Sequence, residues 1–183
     1  MLAMFYFGCN SVQNNNSDSS NKNISSNISN NVKIGDYQNQ PLPKDLLITL
    51  ETTDFWDNPA VYKLSIKADG SVIFEGIKNT ETKGIAEGKI SDDKIRELLR
   101  EFDSADYFNL QDNYGSDNCP SMATDHSTVI TSIQIADKKK RISHYLGCFE
   151  KSSIYNRFPP KLYELENKIA ETVEVRRWIG ERK

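Results

Sequence analysis

The sequence predicts an α+β fold of order ββββαββα, in which an N-terminal strand and two hairpins build an antiparallel sheet and two helices pack on one face. Three observations carry this. Apolar residues alternate with polar ones on both sides of Ala68-Asp69-Gly70 and again around Asp137-Lys138. Ile95, Leu98, Leu99 and Phe102 recur at helical spacing, and so do Leu162, Leu165, Ile169 and Val173. A period of two marks half-buried strands, whereas i, i+3, i+4, i+7 marks a helix with one apolar stripe.

The segment Leu46 to Thr53, rich in β-compatible residues and bounded by Pro43 and Asp54, is the first strand. Val61 to Lys67 and Ser71 to Ile77 form the first hairpin. A two-residue turn at Asp69-Gly70 would face Ile66 with Ile73 and split Val72 and Phe74 from the apolar side. A three-residue loop, Ala68-Asp69-Gly70 with a left-handed glycine, instead sets Tyr62, Leu64 and Ile66 opposite Gly76, Phe74 and Val72. Thr80 to Lys89 returns as a strand weakened by Gly84 and Gly88. Ser91 then caps a helix, with Asp92 and Asp93 at the positive end of its dipole and Ile90 stapling onto Ile95. Gln111 to Thr124 reads as a polar loop. Ser127 to Ala136 and Lys139 to Cys148 make the second hairpin, with Val129, Thr131, Ile133 and Ile135 on the same side as Ile142, His144, Leu146 and Cys148. Pro159-Pro160 opens the last helix, and Trp178-Ile179 closes the domain before Gly180.

A chain of 183 residues accommodates one such domain and a tail. The expected organisation is a leader at 1–9, an Asn/Ser-rich tether at 10–43 and a domain at 44–183. The tether holds too little apolar surface to offset the entropy of ordering. Net charge is −3 with both signs interspersed, so no basic stripe awaits a nucleic-acid backbone and nucleic acid is excluded as a partner.

Met1 to Gly8 is apolar and runs directly into Cys9. This is similar to the end of a bacterial lipoprotein signal, where a small residue precedes the cysteine that becomes acylated. Tyr6 stands where that motif prefers Leu, and a start placed too far downstream would account for the missing basic residues. The alternative is a frayed apolar end. The lipoprotein reading makes Cys9 the lipidation site and the following segment a tether to a membrane. The expected location is then the bacterial cell envelope, in the periplasm or at the surface.

Val61-Tyr62-Lys63-Leu64-Ser65-Ile66, Asp69-Gly70, Phe74-Glu75-Gly76, Asp106-Tyr107-Phe108-Asn109-Leu110, Thr124-Asp125, His144-Tyr145 and Trp178 stand in the order of a bacterial family. On these residues the stretch from Leu46 to Gly180 resembles the domain of unknown function numbered 6438, often found in predicted envelope lipoproteins. The resemblance implies an exported domain and no assigned activity. This chain departs from that family where a cysteine pair commonly precedes the second strand; Asp54 to Pro59 contains none.

His126 and His144 are the two histidines. With Asp125, Tyr145 and either Ser127 or Ser143 they supply the residue types of a Ser/His/Asp site. No Gly-x-Ser-x-Gly elbow accompanies them, and Asp125 and His126 would point to opposite faces of a strand. The competing reading is a set of hydrogen-bonded groups on a hairpin. No phosphate loop, dinucleotide fingerprint or His-Glu-x-x-His helix is present. Lys138 to Arg141 forms a basic run at a hairpin tip, suited to anionic headgroups or, more simply, to keeping an edge solvated. Phe55 and Trp56 form an aromatic pair before Pro59, able to anchor a partner or to fold back onto the sheet.

Of three cysteines, lipidation of Cys9 leaves Cys119 and Cys148 for each other. Antiparallel pairing brings both to one end of the sheet, and an oxidising compartment favours a disulfide. The alternative is zinc held by Cys119, Cys148 and one histidine, without the close Cys-x₂₋₄-Cys spacing of structural zinc sites. The leading expectation is a noncatalytic, envelope-tethered interaction module, with Phe55, Trp56, Asp125, His126, His144 and Tyr145 as binding residues. Its partners would be an envelope protein or ligand and, through an N-terminal lipid, the membrane; no cofactor is expected. The alternative is a small hydrolase using Asp125 with His126 or His144. A purely structural or inhibitor domain is not separable from the first reading by sequence.

Overall fold

The computed structural model describes residues 34–55 and 59–181. Cys9, the tether up to residue 33 and Trp56 lie outside the described residues.

The fold is α+β with a mostly antiparallel sheet. Its centre is β1 (Leu47–Thr52), flanked on one side by β2 (Val61–Lys67), β3 (Ser71–Lys78) and β4 (Gly84–Lys89). On the other side stand β7 (Thr128–Ile135), β8 (Lys138–Tyr145) and the short parallel β5 (Asn113–Tyr114). In the first hairpin Tyr62 faces Gly76, Leu64 faces Phe74 and Ile66 faces Val72, the three-residue-loop register. Gly70 sits at φ +82° and donates its N–H to Lys67 O at 2.9 Å, a conformation costly for any residue with a Cβ. β4 starts at Gly84 rather than at Thr80. Asn79 leaves the extended region at φ +55°, and the Thr82 N–H bonds Trp178 O at 2.9 Å instead of a strand.

Helix α1 (Asp92–Ser104) is capped by Ser91, whose side chain accepts from Lys94 N. Its stripe of Ile95, Leu98, Leu99 and Phe102 is wholly buried against the sheet, each side chain contributing about 1.5–3 kcal/mol of apolar burial. Helix α2 (Pro160–Thr172) lies beside it, bridged by Lys168 and Glu97 at 2.6 Å. Together they cover the face that carries Ile48, Leu64, Phe74, Ile133 and Ile142. The left-handed Glu174 (φ +56°) breaks the chain before α3 (Arg176–Ile179), so the last helix is two pieces. Trp178 of α3 stacks on Phe74 at 5.0 Å, which in turn stacks on Tyr62 at 5.5 Å.

Three corrections to the sequence reading follow from tertiary contacts. First, the packed part begins before residue 44: a 3-10 turn at Ile34–Gln38 buries Ile34 in the core. It is held to α1 by Gln38 Nε2 donating to Arg96 O (3.2 Å) and by Arg96 donating to the carbonyls of Tyr37 and Gln40. Second, the second hairpin turns at Ala136-Asp137, one residue earlier than expected, with Ile135 opposite Lys138 and Ala136 at φ +50°. Third, β8 ends at Tyr145, and Cys148 belongs to a separate sheet of β6 (Ser121–Met122), β9 (Cys148–Glu150) and β10 (Ser153–Arg157), ordered β10-β9-β6. Gly147 makes the transfer: a Cβ there would meet Ala123 O at 2.3 Å and the Tyr145 ring at 2.4 Å. The element order is therefore ββββα, six further strands of which four are short, then αα, rather than ββββαββα.

Candidate functional site

The interior of this fold contains an acid and a base. His144 lies on β8 opposite Val129, two register steps from the Thr131–Ile142 pair and so on the same face, and the strand alternation aims it at the helices. Glu166 follows Leu165 on α2 and shares the apolar stripe of Leu162 and Ile169, so the helix aims it at the sheet. The two meet with His144 Nδ1 2.8 Å from Glu166 Oε2. Thr131 donates its hydroxyl to Glu166 Oε1 at 3.3 Å, and the Tyr107 hydroxyl donates to Thr131 O at 2.6 Å. His144 is fully buried and Glu166 is 4% exposed.

Burial pushes the Glu166 carboxyl above its usual value, and its bonds to His144 and Thr131 pull it back only in part. The pair is satisfied on the Nδ1 side by sharing a proton, while His144 Nε2 is buried without a hydrogen-bond partner among the described residues. Burial and the neighbouring Glu166 charge push the Tyr62 phenol up to about 12, and Tyr107 is raised by the same causes. Both stay protonated near neutrality.

Glu166 also lines a cleft of about 650 Å³. The strand directions place it at the end of the sheet where β1 finishes and β2 and β7 begin, with Thr52 opposite Val129. Leu50, Tyr62 and Val129 supply one wall, and Tyr163, Asn167 and Ala170 of α2 supply the other. The end of α3 and the chain after it close the rim with Ile179, Gly180 and Glu181, held there by Trp178 on Phe74.

The residues singled out by sequence are dispersed. Asp125 is exposed at φ +71° and its carboxylate accepts from Thr124 Oγ1; the acid that meets His144 is Glu166 instead. His126 and Tyr145 do come together. Their rings stand edge to face at 6.4 Å, and His126 makes a second edge-to-face contact with Phe149 at 5.8 Å. The Tyr145 hydroxyl accepts from His126 N and donates to Ala123 O, which ties down the loop before β7. Phe55 is half-buried in the loop after β1. Ser127 lines the cleft, whereas Ser143 faces away from His144 and its backbone N–H bonds Asp112 O. The basic run is partly taken up by its own fold: Lys140 pairs with Asp112 at 2.7 Å and Lys138 lies over the Phe108 ring at 5.7 Å.

Cys119 and Cys148 form a disulfide with Cα atoms 5.3 Å apart, pinning the loop before β6 to β9. With both sulfurs bonded to each other, the zinc alternative has no thiolates to use. Among the described residues no cluster of His, Cys, Asp and Glu is arranged to hold a metal ion. Glu166 is the residue that sequence reasoning missed. Its signal was a carboxylate inside the apolar stripe of the last helix, facing a strand that carries a histidine on its apolar side.

No curated protein matches this chain. A family model matches residues 46–173, from the start of β1 to the end of α2, and so spans the disulfide, His144 and Glu166 but not Trp178. The chain belongs to the family described as Domain of unknown function (DUF6438).

Proposed function

We propose that this chain is a noncatalytic binding module, tethered to the bacterial cell envelope through a lipid on Cys9, that takes a small ligand in the cleft between β1, β2 and α2. The observation that carries the reading is the cleft itself. Its 650 Å³ falls within the range of small-molecule sites, and apolar side chains such as Leu50, Val129 and Leu146 share its lining about equally with polar groups such as Tyr163, Glu166 and Asn167. Asp125, the acid of the hydrolase alternative, stands apart from His144, and the base instead shares a proton with a buried partner. That arrangement favours binding over turnover. The membrane tether rests on Gly8-Cys9 and the polar segment after it.

Ala170 lines the cleft on α2, so Ala170→Trp should fill it and leave the sheet intact. Small-molecule shifts of the Tyr163 and Asn167 amides should occur in the wild type and vanish in this variant; binding that survives Ala170→Trp would place the site elsewhere. Expressed with its upstream genomic sequence, the protein should partition into detergent and Cys9→Ser should release it. A wild-type protein that stays in the aqueous phase would refute the tether.

A further inference from the structure

We infer that the cleft selects a small organic cation, a protonated amine on an apolar or aromatic body, with Glu166 as its counter-ion. This deepens the binding reading above and rests on it. Among the described residues that line the cleft, the charged ones are Glu166 at its inner end and Glu181 at its rim, both acidic. A third carboxylate, Glu81, lies against Gly180 beside that rim. Three lining residues, Tyr62, Asn79 and Asn167, adjoin a lysine in sequence: Lys78 is held by Asp54 at 2.5 Å, Lys168 by Glu97 at 2.6 Å, and Lys63 is exposed at the strand position that alternates away from Tyr62. Carboxylates of one sign gathered along a cleft raise a field that draws in positive charge.

Glu166 has room for a further donor. An ionised carboxylate has about four acceptor positions on its two oxygens. Thr131 and His144 take one on each, which leaves acceptor capacity on both. A bound ammonium would supply the opposite charge that burial denies this carboxylate, through a charge-assisted hydrogen bond. Tyr62 and Tyr163 line the same space, and phenol faces attract a desolvated cation. Leu50, Val129 and Leu146 suit the apolar body of the molecule. An anion would meet two carboxylates and no cationic group in the lining.

The test uses the full chain and three probes of matched shape: phenethylammonium, neutral 2-phenylethanol and anionic 3-phenylpropionate, titrated by amide chemical shifts. Phenethylammonium should bind with shifts at Tyr163, Asn167 and Ala170, more tightly than the alcohol, while the anion should not bind. Glu166→Gln should weaken the ammonium by about ten- to a hundredfold, the range for a hydrogen bond to a charged group, and barely change the alcohol. Should Glu166→Gln fail to fold, Glu181→Gln at the rim provides the second reading: several-fold weaker ammonium binding supports the inference, and unchanged binding overturns it. Equal or tighter binding of the alcohol or the anion overturns the inference but leaves a binding cleft. No shift with any probe overturns both.

Discussion

His144 on β8 and Glu166 on α2 face each other at 2.8 Å across the interface between sheet and helix, one wholly buried and the other nearly so. The pair couples the sheet to its covering helix through one proton, in a layer otherwise packed with aliphatic and aromatic side chains.

Removing one partner from a buried pair leaves the other without compensation. His144→Ala should therefore destabilise the fold by about 3–5 kcal/mol, whereas the double replacement His144→Leu with Glu166→Leu should cost much less or nothing. Urea unfolding of the four species of this double-mutant cycle measures the coupling. Additive effects would show that the two residues act independently.

The raised carboxyl of Glu166 gives stability a direction with pH. Between the usual 4.5 and its higher folded value, the folded state holds more protons at this group than the unfolded state. Its contribution is thus fully present below 4.5 and is lost as pH rises through the folded value. Glu166→Gln keeps a hydrogen-bonding side chain without the titration, so the variant should gain stability relative to wild type as pH rises over that window. Parallel stability curves would contradict the assignment.

The Cys119–Cys148 bond closes a loop between residues 29 apart in sequence. On the chain-entropy estimate, losing it should cost about 3–4 kcal/mol. Paired Cys119→Ser and Cys148→Ser replacements, compared with the oxidised protein by thermal unfolding, check this. The loss should concentrate in the β6–β9–β10 sheet, read as faster amide exchange there than in β1 and β7.

The 3-10 turn at Ile34–Gln38 extends the packed part beyond the boundary at residue 44. Trimming the chain to Ile34 should leave thermal stability unchanged, whereas trimming to Lys44 exposes the α1 surface that Ile34 covers. Ile34→Ala should cost about 2 kcal/mol, the lower end for such a truncation because a single turn can detach or resettle. Equal melting temperatures for the two truncated chains would mean the turn adds nothing.

Local pattern determined much of this protein. The period-two runs settled β2 and β3 and their register, because shifting the loop by one residue would have turned Val72 and Phe74 to the opposite face. The stripe of α1, its Ser91 cap and the pairing of Cys119 with Cys148 were legible for the same kind of reason: each depends on residue type and spacing along the chain. What only the tertiary structure decided involves groups far apart in sequence. The short β5, β6, β9 and β10 lack the length for a periodic signal; β5 exists by pairing with β8, and β6, β9 and β10 by pairing with one another. Ile34 looked like part of a polar tail until α1 offered it a surface. Glu166 carries the clearest lesson. On a helix diagram it interrupts an apolar stripe, and its meaning comes from His144, 22 residues earlier, on a strand whose alternation turns it toward the same interior. A charge in the core is tolerated only with a partner, and no local pattern encodes the distance between two elements that meet through the fold.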